Sequence, residues 1–290
     1  MMARPKNVAD AIEVGQEGCP QGRYKSFVLK PAYQPIFSVD TFGTWKISGF
    51  EGLVRPFQNG EQIETAEFFA EVSDEDQLFI QCMCMALHIR GYKNVLPKER
   101  TLFVNVDVSM FPSIDILETE IFYTFSQLPK NGLNRDRIVF EILETEVLEQ
   151  EVLLRLCEMF RNNGFRFALD DFGTKHSNIE RFLLVRPDIV KLDRAIFHNF
   201  IRIKETEKLL RALITAFRNN GSSVLMEGLE NAQEVGMAAD MNVDMMQGFA
   251  LAKPELLPNA FEDNMEIPKV EPKASLHLVE ETGLNQAQAR

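Results

Sequence analysis

Phe167-Ala168-Leu169-Asp170-Asp171-Phe172-Gly173-Thr174 places two adjacent carboxylates between a short apolar run and a glycine turn. A run of this length and character reads as a buried strand, and charge at its end is costly unless a cation or hydrogen bonds compensate it. Asp and Gly also close strands in ordinary turns. Taken alone, the pair fits a structural turn as well as it fits a metal-binding site.

Outward from this stretch, the pattern of a polar group at the end of an apolar run recurs along the chain. Glu51 ends the run 45–50, Asn105 sits within 102–106, and Glu141 closes 138–140. Lys191 follows Ile189-Val190, Glu227 follows 224–226, and Gln247 follows 243–246. With the run 32–39, these segments make about eight candidate strands. Stretches of helical spacing, such as 146–162 and 205–219, lie between most of them. Alternating strand and helix predicts an α/β protein with a parallel sheet. About eight such units fit a closed barrel, which brings every strand end to one face.

Alternate residues of a strand face the same side. Phe103 therefore shares a face with Asn105, Val139 with Glu141, Ile189 with Lys191 and Asp193, and Leu225 with Glu227. The apolar member of each pair is expected inside the barrel, with the polar member lining its mouth.

Several short motifs carry a resemblance. They are Tyr33-Gln34-Pro35-Ile36, Glu51-Gly52-Leu53-Val54-Arg55, Asn105, Glu141-Ile142-Leu143-Glu144, Asp170-Asp171-Phe172-Gly173-Thr174, Lys191-Leu192-Asp193, Glu227-Gly228-Leu229-Glu230 and Gln247-Gly248-Phe249. Each is weak alone, but in this order the chain, over about 26–258, resembles the EAL-domain phosphodiesterases that hydrolyse cyclic di-GMP. Glu51-Gly52-Leu53 stands where the name-giving Glu-Ala-Leu is found. The fold this implies is an EAL-type, TIM-like (β/α)8 barrel.

The resemblance implies a metal-dependent phosphodiesterase that opens cyclic di-GMP to the linear dinucleotide pGpG. Glu51, Asn105, Glu141 and Asp170 resemble ligands of a first divalent cation, with Asp170 bridging to a second one held also by Asp171. Lys191 and Glu227 resemble the residues that orient or deprotonate the attacking water, and Glu51 is counted with them as catalytic. Gln34, Arg55 and Gln247 match positions expected to hold the dinucleotide; Glu144 matches a residue that steadies the loop after Asp171, and Asp193 supports Lys191. The chemistry suits such a set, because a phosphodiester repels hydroxide unless cations neutralise both. Oxygen ligands favour Mg²⁺ or Mn²⁺ over zinc.

Two departures from the family pattern are Leu143, where Thr is usual, and Lys175-His176, where Gly and an aromatic residue are usual. The alternatives to an enzyme are a catalytically degenerate cyclic di-GMP receptor and a protein-interaction scaffold. A homodimer or a separate regulatory protein is the expected route for any control of activity.

Composition limits the partners. With 31 basic and 43 acidic residues the net charge is −12, which argues against a nucleic-acid polymer or an anionic membrane surface. No apolar stretch approaches the roughly 20 residues of a membrane span, and no signal peptide is recognisable, so the chain is expected in the cytoplasm. Cys19, Cys82, Cys84 and Cys157 show no zinc spacing and are expected as free thiols. His88, His176, His198 and His277 are scattered, which argues against a histidine metal centre. The expected organisation is a flexible extension over 1–25, a barrel over 26–264 and a flexible tail over 265–290.

Overall fold

The computed structural model describes residues 7–257, apart from 16–17, 96–99, 112, 127–133, 143–149, 174–178 and 202–203. The chain begins with helix α1 (Val8–Ala11) and strands β1 (Ile12–Val14), β2 (Pro20–Tyr24), β3 (Phe27–Val39), β4 (Trp45–Gln58) and β5 (Glu61–Gln62). Helices α2 (Thr65–Ala70) and α3 (Asp74–Val95) lead to β6 (Thr101–Val106), α4 (Ile114–Ser126), β7 (Ile138–Ile142), α5 (Gln150–Asn162) and β8 (Arg166–Phe172). Then follow α6 (Ile179–Val185), β9 (Ile189–Leu192), α7 (Arg194–Ile201), α8 (Lys204–Asn219), β10 (Ser223–Met226), α9 (Ala232–Asp240), β11 (Met245–Met246) and β12 (Glu255–Leu256).

Strands β4, β6, β7, β8, β9, β10 and β11 pair in parallel, and β3 closes the ring between β4 and β11. The eight-stranded α/β barrel is thus present, as expected. One expectation is corrected: the sheet is not parallel throughout, because β3 runs antiparallel to both neighbours. Five residues, 40–44, separate β3 from β4, too few for a helical crossover. The Asp40 carboxylate instead accepts the Phe42 and Thr44 amides, each at 2.9 Å, and folds the link into a hairpin turn.

Inside the ring, Ile36, Phe103, Val139, Ala168, Ile189 and Leu225 form one packed layer, with Met245 against it. They come from β3, β6, β7, β8, β9 and β10, so the layer is contributed around the barrel rather than by one segment. Each residue lies two positions from a polar one: Gln34, Asn105, Glu141, Asp170, Lys191 and Glu227. The apolar layer is the floor on which the polar layer stands, as strand parity requires. Outside, the helices bury the opposite strand faces in two larger clusters. Each large side chain so buried contributes about 1.5–3 kcal/mol.

The expectation of a flexible extension over 1–25 fails for its described part. β1 pairs with β2, and β2 pairs with β3, so the segment extends the barrel sheet. Tyr24 is fully buried, and its hydroxyl donates to Asp76 at the start of α3 at 2.8 Å. The segment shows little periodicity because its buried residues are few and divided between a one-turn helix, Val8 and Ala11, and alternate positions of one short strand, Pro20, Gly22 and Tyr24. Covered by this segment on one side, α3 is buried on several faces, including Cys82, Met83, Cys84 and Met85. None of the four cysteines forms a disulfide. No described helix is long and apolar enough to cross a membrane. The tail 265–290 lies outside the described residues.

Candidate active site

Four strand ends deliver one buried ion cluster. Lys191 on β9 directs its Nζ to Glu141 of β7 at 2.6 Å, to Glu227 just beyond β10 at 2.9 Å and to Asp170 of β8 at 3.1 Å. The Lys191 side chain is 2% exposed and Glu141 is fully buried. A lone ammonium is costly there, and three carboxylates around it are the compensation. Burial lowers the Lys191 pKa, yet Glu141, Glu227, Asp170 and Glu51 outweigh it and hold the ammonium well above its usual range.

The carboxyls shift upward as well, for a different reason. Burial pushes Glu141 well above the usual carboxylate range, against the pull of Lys191 and with help from Glu51, Asp170 and Glu227. Burial likewise raises Glu227 to about 8. One ammonium therefore leaves the cluster with an excess of negative charge, which the carboxyls relieve by keeping protons.

A second, hydrogen-bonded group adjoins it on the β3–β4 side. Asn105 Nδ2 donates to Glu51 Oε1 at 3.1 Å, and Gln247 Nε2 donates to Glu51 Oε2 at 2.7 Å. Asn105 is held in turn by its backbone carbonyl, which accepts Gln81 Nε2 of α3 at 3.0 Å. Gln34, buried on β3, donates to the Ala252 carbonyl at 3.1 Å.

A cleft of about 330 Å³ opens over both groups, lined among others by Gln34, Glu51, Glu227, Gln247, Asp193 and Arg194. Arg194 also contacts Glu230 at 2.5 Å and Glu234 at 3.7 Å, and its Nε donates to His198 Nε2 at 3.2 Å. This lip packs against Gly228, whose φ is +66° and where a Cβ would sit 2.8 Å from Arg194 Cβ. Asp193 caps α7 by accepting the Ala195 amide at 2.6 Å.

The expected site residues are thus gathered unevenly. Glu51, Asn105, Glu141, Asp170, Lys191, Glu227, Gln34, Gln247 and Asp193 meet at the barrel mouth. Asp171 follows Asp170 in a β-bulge, exposed and at φ +50°. Arg55 lies farther along the hairpin, outside the cleft lining, donating to the Val54 carbonyl at 2.9 Å. Glu144, Leu143, Lys175 and His176 lie outside the described residues. The Arg194, His198, Glu230 and Glu234 lip and the exposed Phe249 at the cleft were not foreseen as a unit. The pairs 194/198 and 230/234, each four apart, were its legible signal.

The mouth suits a hard cation. Both Glu141 oxygens and Gln247 Oε1 are buried without a hydrogen-bond partner, while the Lys191 ammonium forms an ion pair with Glu141 Oε1 at 2.6 Å. Oxygen donors with excess negative charge select Mg²⁺-like ions. Among the described residues, no three carboxylate, imidazole or thiolate groups stand together as ligands of one ion in this arrangement, in which Lys191 lies between Glu141, Asp170 and Glu227.

Residues 24–254 match the EAL domain family. The signaling protein YkoW of Bacillus subtilis is 27% identical over 256 residues, covering 81% of this chain and 29% of that protein. The probable cyclic di-GMP phosphodiesterase PdeN of Escherichia coli is 28% identical over 231 residues, covering 77% of this chain and 43% of that protein. The chain thus spans less than half the length of these relatives. Among solved structures, the Bacillus subtilis YkuI protein, with an EAL domain and in complex with substrate c-di-GMP and calcium, superposes with a TM-score of 0.66 at 24% identity, covering 78% of this chain and 56% of that one. With the family matched across most of its length, this chain belongs to the EAL domain family.

Proposed function

We propose that this protein is a metal-dependent phosphodiesterase that opens cyclic di-GMP to the linear dinucleotide pGpG. The observation that carries the reading is the Lys191 cluster, in which Glu141, Asp170 and Glu227 crowd one buried ammonium beside Glu51 and Asn105. Such an arrangement is expensive for a fold and useful for a reaction between two anions. Glu51, Asn105, Glu141 and Asp170 would hold a divalent cation, and Asp171 would join Asp170 on a second. When bound, two such ions neutralise the phosphodiester and lower the pKa of water. Lys191 would orient that water by donating a hydrogen bond, while Glu227, at the cleft and raised to about 8 in the metal-free cluster, would accept its proton once cation binding has displaced the one it holds. Gln34, Gln247 and Arg55 hold the dinucleotide. The relative PdeN and the calcium-bound YkuI complex support the same substrate and divalent ions. The protein would act in the cytoplasm, as a homodimer or with a separate regulatory protein.

A receptor that binds cyclic di-GMP without cutting it is the second reading, favoured by the way Lys191 stands where ligands would have to gather. Incubation with cyclic di-GMP in Mg²⁺ or Mn²⁺, with a chelated control, separates them. The expected result is metal-dependent pGpG on chromatography. Binding by calorimetry without product supports the receptor, and neither binding nor product rejects both.

A further inference from the structure

Along β4, Glu51 faces the mouth while Phe50, Gly52 and Val54 face outward, where Phe50 and Val54 join the cluster packed around α3. Gly52 lies between Tyr33 of β3 and Val104 of β6. Above it sits His88 of α3, 4% exposed. A Cβ at Gly52 would lie 2.8 Å from His88 Cγ and 2.9 Å from His88 Cβ. These atoms belong to the root of the side chain; a new rotamer moves Cγ but leaves Cβ in place. Helix and strand would have to separate, in a core whose close packing resists it.

A second contact fixes the same spacing. The Tyr33 hydroxyl donates to the His88 carbonyl at 2.7 Å, its ring stands edge-on to the imidazole, and a Cβ on Gly91 would overlap that hydroxyl. Two side chains, each seated on a glycine of the opposite element, therefore interlock α3 with the β3–β4 pair. Burial lowers the His88 pKa to about 4, so the ring is neutral near pH 7 and acts by its shape.

We propose that His88 is a positioning residue of the site: seated on Gly52, it sets the depth of β4 and so the reach of Glu51 to Asn105 and Gln247. The same contact leaves no room at position 52 for the alanine methyl of the Glu-Ala-Leu pattern. Its catalytic consequence rests on the phosphodiesterase reading.

The test compares the full chain with Gly52→Ala, His88→Ala and the double variant. Mn²⁺ affinity is measured by calorimetry, hydrolysis of cyclic di-GMP by chromatography, and stability by urea unfolding. Gly52→Ala should weaken Mn²⁺ binding about tenfold or more, although it restores the family's residue. The double variant should return to within about threefold of the parent. Equal Mn²⁺ affinity in all four proteins, with only the urea midpoints moving, would show a purely structural contact and overturn the proposal. If Gly52→Ala does not fold, the double variant must still bind Mn²⁺ more tightly than His88→Ala; equal or weaker binding overturns it. A parent that binds Mn²⁺ without cutting cyclic di-GMP removes the phosphodiesterase reading and leaves the positioning comparison intact. A parent that binds no Mn²⁺ overturns both.

Discussion

The two halves of the barrel mouth are held in different ways. From β7 to β10, Glu141, Asp170 and Glu227 are bound by charge to one buried lysine. From β3 to β6, Glu51 is held by the neutral amides of Asn105 and Gln247, and its strand by packing under α3. The first half resists deformation but carries unbalanced charge. The second is electrically mild, so its geometry depends on the elements behind it. On the proposed reading, hydrolysis of an anionic diester would draw on both: a field that demands cations and a wall that keeps their ligands in register.

The contrast is broken most directly by removing the lysine. In metal-free protein, Lys191→Met should cost about 3–5 kcal/mol in urea unfolding, because it leaves buried carboxylates without a counter-charge. Asn105→Ala, in the amide half, should cost only about 1 kcal/mol. Similar losses in both variants would mean that the two halves do not differ as described.

The contrast is sharpened by pH. Glu227 has a folded pKa of about 8, above its ordinary 4.5, so the folded state holds a proton that the unfolded chain releases. The stability this gives is fully present below about 4.5 and is lost as the pH rises through about 8. Metal-free protein should therefore lose thermal stability between pH 5 and pH 8.5. Glu227→Gln should flatten that slope, though not abolish it, since Glu141 shifts in the same direction. An unchanged slope in the variant would remove Glu227 from the coupled cluster.

Much of this organisation was legible in sequence, for a simple reason. In a barrel whose strands are buried on both faces, a polar residue two places after an apolar one stands out, and Phe103/Asn105, Val139/Glu141, Ile189/Lys191 and Leu225/Glu227 all fall as that rule requires. The direction of β3 was missed although its signal was present, since five residues at 40–44 permit a hairpin and not a crossover. The pairing of β1 and β2 onto the barrel sheet was hidden because both strands are short, β1 being exposed or half-buried throughout and β2 buried only at alternate positions. Lys191 was read as a water-handling residue, but nothing in sequence spacing says that three carboxylates share it. The fit of His88 to Gly52 joins residues 36 positions apart on different elements, and neither identity alone implies the other.

The central claim is that this carboxylate cluster is a divalent-cation site, and proton release on metal binding tests it most directly. Burial raises Glu227 to about 8 and shifts Glu141 in the same direction, so a cation bound among these carboxylates is expected to displace protons from the cluster. Calorimetric titration of Mn²⁺ into metal-free protein at pH 7, repeated in buffers of different ionisation enthalpy, reads those protons directly. The expected result is binding whose heat changes with the buffer by about one proton or more per protein, with Asp170→Asn weakening the affinity. Binding that releases no proton and is indifferent to Asp170→Asn, or no binding at all, would contradict the account.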